Sequence, residues 1–201
     1  HLLAAFAIFA WMLWLALAIL LPADRMQGTS EPARRHLRTP IAAVAVLTVA
    51  AATWGAFVAG LDAGFFYNRF PLMGDRPWPD RWGSPLADAG VVQFVHRLLG
   101  IATFACACWL VLRLRRSTLP QRARRIVLLV PAMVLVQFAL GVSTLLLTVP
   151  VALAMAHQAG ALALLSTTLL ALAELHAPPE RPAAAAAAVR SAAPAPQHAR
   201  P

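Results

Sequence analysis

The sequence predicts an all-α integral membrane protein with five transmembrane helices. Of its 201 residues, 60% are hydrophobic and only 12% are charged, at a mean hydropathy of +0.69. A soluble domain carries roughly 25% charged residues. The apolar residues gather in five blocks of 20 to 24 residues, and a helix rising about 1.5 Å per residue needs about 20 to cross the hydrocarbon core. The charges fall between the blocks. Collagen-like, disulfide-scaffold and wholly disordered chains are excluded on the same composition.

The first block spans residues 2–21, with no charge before Asp24, and the second spans 40–61. The third covers 89–112, the fourth 126–149, where Pro131 is expected to kink the helix, and the fifth 151–173. Beyond them the Pro/Ala-rich tail PPERPAAAAAAVRSAAPAPQHARP has no periodic apolar face and reads as disordered. His1 opens an apolar helix directly, without the charged region or cleavage site of a signal peptide, so a missing upstream part is expected.

The net charge of +9 comes from 17 arginines against 8 acids, with no lysine. Such a balance suggests nucleic acid until the arginines are located. Arg25, Arg34, Arg35 and Arg38 lie between the first two blocks. Arg113, Arg115, Arg116, Arg122, Arg124 and Arg125 lie between the third and fourth, with no acid among them. The positive-inside bias makes those two loops and the tail cytoplasmic, which removes nucleic acid as a partner. The acid-rich loop 62–88 and the turn at Pro150 then face outward.

Two histidines lie inside apolar helices: His96 in VVQFVHRLLG and His157 in VALAMAHQAGALALLS. Each is about two turns into a helix running inward from the outer face, so both imidazoles should lie roughly 10 Å below that surface. Intramembrane polar residues are expensive and usually functional. Two readings follow: interhelical hydrogen bonding, or one haem held between two axial nitrogens. Gly100, and the row Ala152, Ala156 and Gly160, would admit a planar group or simply a neighbouring helix. Arg97 either snorkels outward or pairs with an anion such as a haem propionate.

His36, His176 and His198 sit at or beyond the membrane edge and read as solvated. Cys106 and Cys108, two apart on a helix, diverge and read as small buried hydrophobes. There is no Walker A, GxSxG or zinc-ligand spacing.

Four stretches in order, GAFVAGLDAGFFYNRFPLMGD, QFVHRLLG, QFALGVSTLLL and HQAGALALLS, together resemble the haem A synthase family over about residues 40 to 170. That family has eight transmembrane helices in two pseudo-symmetric halves. The resemblance implies that residues 40–175 form its C-terminal antiparallel four-helix bundle, with His96 and His157 as the axial ligands of haem b. Residues 1–21 would be the last helix of the N-terminal half, 22–39 a cytoplasmic loop and 176–201 the tail. His1 would be a ligand of the other site, where haem O, the substrate, is oxidised from C8 methyl to formyl. HLLAAFA and HQAGALA, each starting with His and sharing alanines at the fifth and seventh positions, agree with a repeat relation.

The resemblance further implies a bacterial inner-membrane oxidoreductase, inactive as this stretch alone because the glutamate and first histidine of the oxidising site are absent. Implied partners are the missing N-terminal half, haem O synthase, an electron donor and lipid, with homo-oligomerisation open. Tyr67, Asn68 and Pro71 would cap the haem on the outer face, where the RFPLMGDRPWPD loop departs from the family by extra charge and a Trp. Two alternatives stand beside this: a di-His membrane cytochrome that only transfers electrons, and a haem-free scaffold or transporter bundle. The transporter reading lacks the intramembrane acids along a path that transporters usually show.

Overall fold

A computed structural model describes residues 2–21 and 30–176 of the chain; His1, His198 and the tail from residue 177 lie outside the described residues. Five helices follow one another: α1 (Leu2–Leu20), α2 (Glu31–Gly60), α3 (Ala89–Arg115), α4 (Gln121–Leu146) and α5 (Val151–Leu175), with a 3-10 turn at Ala63–Phe65. Among the described residues there is no strand, and Met73 and Arg76 make an isolated bridge. All five helices are long and apolar enough to cross a membrane. The chain is a multi-pass membrane protein.

Its surface agrees with that solvent. Ile19 is 83% exposed and Val151 74%, which in water would form an aggregation-prone surface. Against acyl chains it is matched, and close packing rather than hydrophobic burial holds the helices together. Hydroxyls inside the spans are satisfied within their own helices. Thr48, Thr103 and Thr144 each donate to the carbonyl four residues back at 2.7 Å, so they add no unpaired polar group to the interior.

The second helix starts at Glu31, not at Pro40 as hydropathy alone suggests. Residues 31–39, expected as loop, are helical for local reasons. Ser30 is extended at the cap position, Pro32 occupies the first turn, and Glu31 places an acid at the positive end of the helix dipole. Glu31 pairs with Arg34 at 2.7 Å and also with Arg38. Pro40 is buried inside the helix. The helix therefore outruns the apolar segment. By the same logic α3 continues to Arg115, α4 begins at Gln121 and ends at Leu146, and α5 continues to Leu175.

Helix α2 packs on α3 and α5, and α4 packs on the same two; α1 lies mainly against α5. Their shared core comprises Leu37, Ile41 and Val44 of α2, Leu110 and Leu114 of α3, Val127 and Val130 of α4, and Leu164 and Leu175 of α5. Apart from Leu164, which sits mid-helix and lines the cavity described below, these residues lie towards the arginine-rich helix ends. Glu174 is fully buried at that end, with Arg122 Nε 3.4 Å from its carboxylate. Cys106 packs against this core, whereas Cys108 is exposed rather than buried. The opposite half, beneath the 61–88 loop, is hollow.

The α4–α5 turn closes that hollow end. The Thr148 amide donates to the Leu145 carbonyl at 3.2 Å and the Val149 amide to that of Thr144 at 2.8 Å, the paired bonds of a Schellman ending. Thr148 and Val149 hold φ of 61° and 56°, unfavourable for β-branched residues.

Candidate functional site

The hollow is a cavity of about 480 Å³ lined from all five helices, including Phe6 of α1, Gly55 of α2, Gly100 of α3, Phe138 of α4 and Ala161 of α5. Its volume lies within the range of cofactor and ligand pockets. His96 and His157 both line it. Their ring centroids are 6.3 Å apart and their planes are 88° to one another. The two histidines expected to act together from the sequence thus meet across one space, their rings perpendicular.

His96 has a determined tautomer. Its Nδ1 lies 3.0 Å from the Ala51 carbonyl, and a carbonyl only accepts, so Nδ1 carries the proton. Nε2 then keeps its lone pair, the state in which histidine binds metals. The Nδ1 of His157 is buried without a hydrogen-bond partner.

Each imidazole rests against a glycine of the preceding helix. A Cβ on Gly55 of α2 would meet His96 Cε1 at 3.3 Å, and one on Gly141 of α4 would meet His157 Cε1 at 2.8 Å. Two hairpins, α2–α3 and α4–α5, repeat the same device. Gly160 serves a different neighbour, since a Cβ there would overlap the Gln137 carboxamide. Gln137 in turn donates from Nε2 to the His157 carbonyl at 2.8 Å. Ala152 and Ala156 of the expected small-residue row are exposed on the outside of α5. Gly100 lines the cavity with open space at its Cα.

Arg97 also lines the cavity, and its terminal nitrogens hold the loop above. Nη1 donates to the carbonyls of Arg69 and Leu72 at 2.8 Å each, and Nη2 to that of Tyr67 at 2.6 Å. Gln93 donates to the same Tyr67 carbonyl at 3.1 Å. Asn68 bridges the carbonyls of Gly64 and Leu145 at 3.0 and 3.1 Å, fastening the loop to the end of α4. Phe65 and Phe70 are the loop aromatics that reach the cavity. Tyr67, Asn68 and Pro71, expected there as a cap, are not among its lining residues. Tyr67 instead directs its hydroxyl to Asp80 at 3.1 Å.

The donor set suits an iron tetrapyrrole better than a bare ion. Among the described residues no three His, Cys, Asp or Glu side chains come together, whereas protein-bound transition metals usually need three or four such ligands. A tetrapyrrole brings four nitrogens of its own and asks the protein only for axial ligands. Two imidazoles on one iron need about 6 Å between ring centres, given metal–nitrogen bonds near 2 Å, and the observed spacing meets this. The buried Nε of Arg97 and the Oε1 atoms of Gln93 and Gln137 have no partner, which is unusual for a cavity wall that stays empty.

His36, expected in a loop and solvated, is instead helical and half-buried, in contact with Arg113. His176 ends α5, exposed, its ring 6.2 Å from Trp14. Neither approaches the cavity.

Fold and site together define a polytopic helical membrane protein with a paired-histidine pocket between its spans. Residues 1–169 match the COX15-CtaA family, described as cytochrome oxidase assembly protein, and the chain belongs to that family. It is 40% identical over 166 residues to the protein named heme A synthase COX15 of Bos taurus, covering 79% of this chain and 40% of that protein. It is 38% identical over 192 residues to the heme A synthase of Rhodospirillum centenum, covering 90% of this chain and 49% of the relative. A Flavobacterium johnsoniae heme A synthase is 34% identical over 167 residues, covering 79% and 48%. The chain therefore spans half or less of the length of these relatives. No solved structure matches it.

Proposed function

We propose that this chain is the haem b-binding portion of a haem A synthase, with His96 and His157 as axial ligands. The observation that carries the reading is the 6.3 Å separation of the two rings across one cavity. The relatives' name, heme A synthase, supports the reaction class: oxidation of the C8 methyl of haem O to a formyl group. Haem bound between these residues supplies one-electron redox chemistry at iron.

The chain's own residues bind and orient. The Ala51 carbonyl fixes the His96 ring by accepting from Nδ1, which turns Nε2 into the donor and raises its basicity. Gly55 and Gly141 leave room for both rings at the helix surfaces. Arg97 brings a positive charge to the cavity wall, and its unpaired Nε–H suits a carboxylate such as a propionate. Phe65 and Phe70 add aromatic surface to the cavity wall beneath the loop. The other half of the protein, haem O synthase and an electron donor complete the proposed setting in a bacterial inner membrane with the tail cytoplasmic, and the concentration of arginines in the two loops on the tail's side supports that topology.

The test is optical. Expressed in membranes and reduced, the chain gives the sharp α-band of a six-coordinate haem. His96→Ala or His157→Ala abolishes it or shifts it to high spin, and His36→Ala leaves it. A folded, colourless protein, or equal effects of all three substitutions, would overturn the assignment.

A further inference from the structure

At the arginine-rich end, away from the haem site, an open cleft of about 430 Å³ lies between α2 and α3, lined by Arg35, His36 and Thr39 of one and Trp109 and Arg113 of the other. Its charge is uncompensated. The nearby Arg34 and Arg38 share Glu31, and Arg122 has Glu174. Arg35 and Arg113 form no ion pair with an acid among the described residues, and no Asp or Glu lines the cleft.

Arg113 is held in place from two sides. Its guanidinium lies 5.1 Å from the centre of the Trp109 ring, a cation–π contact. Its Nη1 meets Nδ1 of His36. Guanidinium only donates, so Nδ1 accepts and the imidazole proton sits on Nε2. The cleft therefore offers the remaining guanidinium N–H groups, the Arg35 fork and the His36 Nε2–H, all donors, around a Trp at the end of a membrane-spanning helix. Leu112, on α3 just before Arg113, is an exposed apolar side chain next to the cleft's arginine.

We infer that this cleft is a binding site for the phosphate of an anionic phospholipid in the leaflet at the arginine-rich face, with Arg35 and Arg113 as the phosphate ligands. Basic pockets between transmembrane helices on that side suit anionic headgroups. The guanidinium fork matches phosphate geometry. Trp109 lies near the arginine-rich end of α3, the level at which interfacial tryptophans are enriched. The occupant is a lipid and not a free anion because the two arginines stand beside Trp109 and the exposed Leu112 at the end of a membrane-spanning helix, so a headgroup seated there keeps its acyl chains against an apolar flank.

The test uses the purified full chain in a neutral detergent, with phosphatidylglycerol, phosphatidylcholine or inorganic phosphate added. Retained lipid is read by native mass spectrometry and stability by the unfolding midpoint. Phosphatidylglycerol is retained and raises the midpoint, while the other two do neither. Arg35→Gln and Arg113→Gln each weaken retention about fivefold, the effect of one interfacial basic residue, and Arg116→Gln, outside the cleft, does not. Equal retention of both lipids, an equal response to inorganic phosphate, or unchanged retention in the Arg35→Gln/Arg113→Gln variant overturns the inference. If that variant does not fold, brominated phosphatidylglycerol decides on the unaltered cleft. It quenches the wild-type protein more than Trp109→Phe, and equal quenching overturns the site.

Discussion

Gly141 and His157 are in contact so close that any side chain at 141 would displace the ring: a Cβ there falls 2.8 Å from Cε1 and 3.4 Å from Nε2. A methyl group at that position cannot be absorbed by a flexible side-chain end, because the imidazole is short and stiff. Gly141→Ala is therefore expected to turn His157 out of line and to cost about 1–3 kcal/mol, the usual penalty of overpacking. Gly55→Ala, at 3.3 Å from His96, should be milder. Gly60→Ala, with nothing within 4 Å, should be neutral. The measurement is the low-spin haem fraction together with the unfolding midpoint. If Gly141→Ala and Gly60→Ala behave alike, the seat has no influence on the ring.

Arg97 is expected to act as a clamp on the loop. Three carbonyls converge on its two terminal nitrogens at 2.6 to 2.8 Å, and hydrogen bonds to a charged group contribute about 1.5–3 kcal/mol each. Arg97→Gln should free the segment around residues 67–72, raising its hydrogen exchange and its cleavage by added protease while the helical core keeps its protection. The local loss should be about 3 kcal/mol, because part of it is recovered by water reaching the carbonyls. Arg97→Lys should not rescue, since a single ammonium cannot span the positions that the guanidinium fork spans. Unchanged exchange in that segment would assign the restraint to Asn68 and Gln93 instead.

The histidines are legible in the sequence because a titratable side chain inside an apolar run stands out, and each lies about two turns from the start of its helix. Their supports are not. Gly55 and Gly141 look like ordinary transmembrane glycines until the helix opposite is known, since no single-chain periodicity encodes which ring a neighbouring helix will present. Gln93 and Gln137 do carry a sequence signal: they are polar residues within membrane-spanning helices, and Gln137 lies four residues before Gly141 on the same helical face. Hydropathy alone misses the start of α2 because it reports the membrane and not the helix, whereas the Glu31 pairs with Arg34 and Arg38 support the helix beyond its apolar segment. The role of Arg97 was hidden for another reason. Its partners are backbone carbonyls, which carry no residue identity.

The α4–α5 turn offers the cleanest stability test, because its strain is confined to the backbone. Thr148 occupies the position after the helix cap where glycine is favoured, at φ 61°, and a left-handed conformation costs a β-branched residue about 1–2 kcal/mol. The hydrogen bond from its backbone N–H to the Leu145 carbonyl does not involve the side chain and survives substitution. Thr148→Gly should therefore stabilise the protein by about 1 kcal/mol, less than the full strain because glycine gives the unfolded chain more freedom. For a chain of this length that is an increase of about 2–4 °C in Tm. Val149→Gly relieves similar strain at φ 56° but removes a side chain that lines the cavity and lies against Gly64, so it should bring no gain. Differential scanning calorimetry of the two variants separates the cases: a lower Tm for Thr148→Gly would mean that the threonine side chain contributes more than its backbone strain costs.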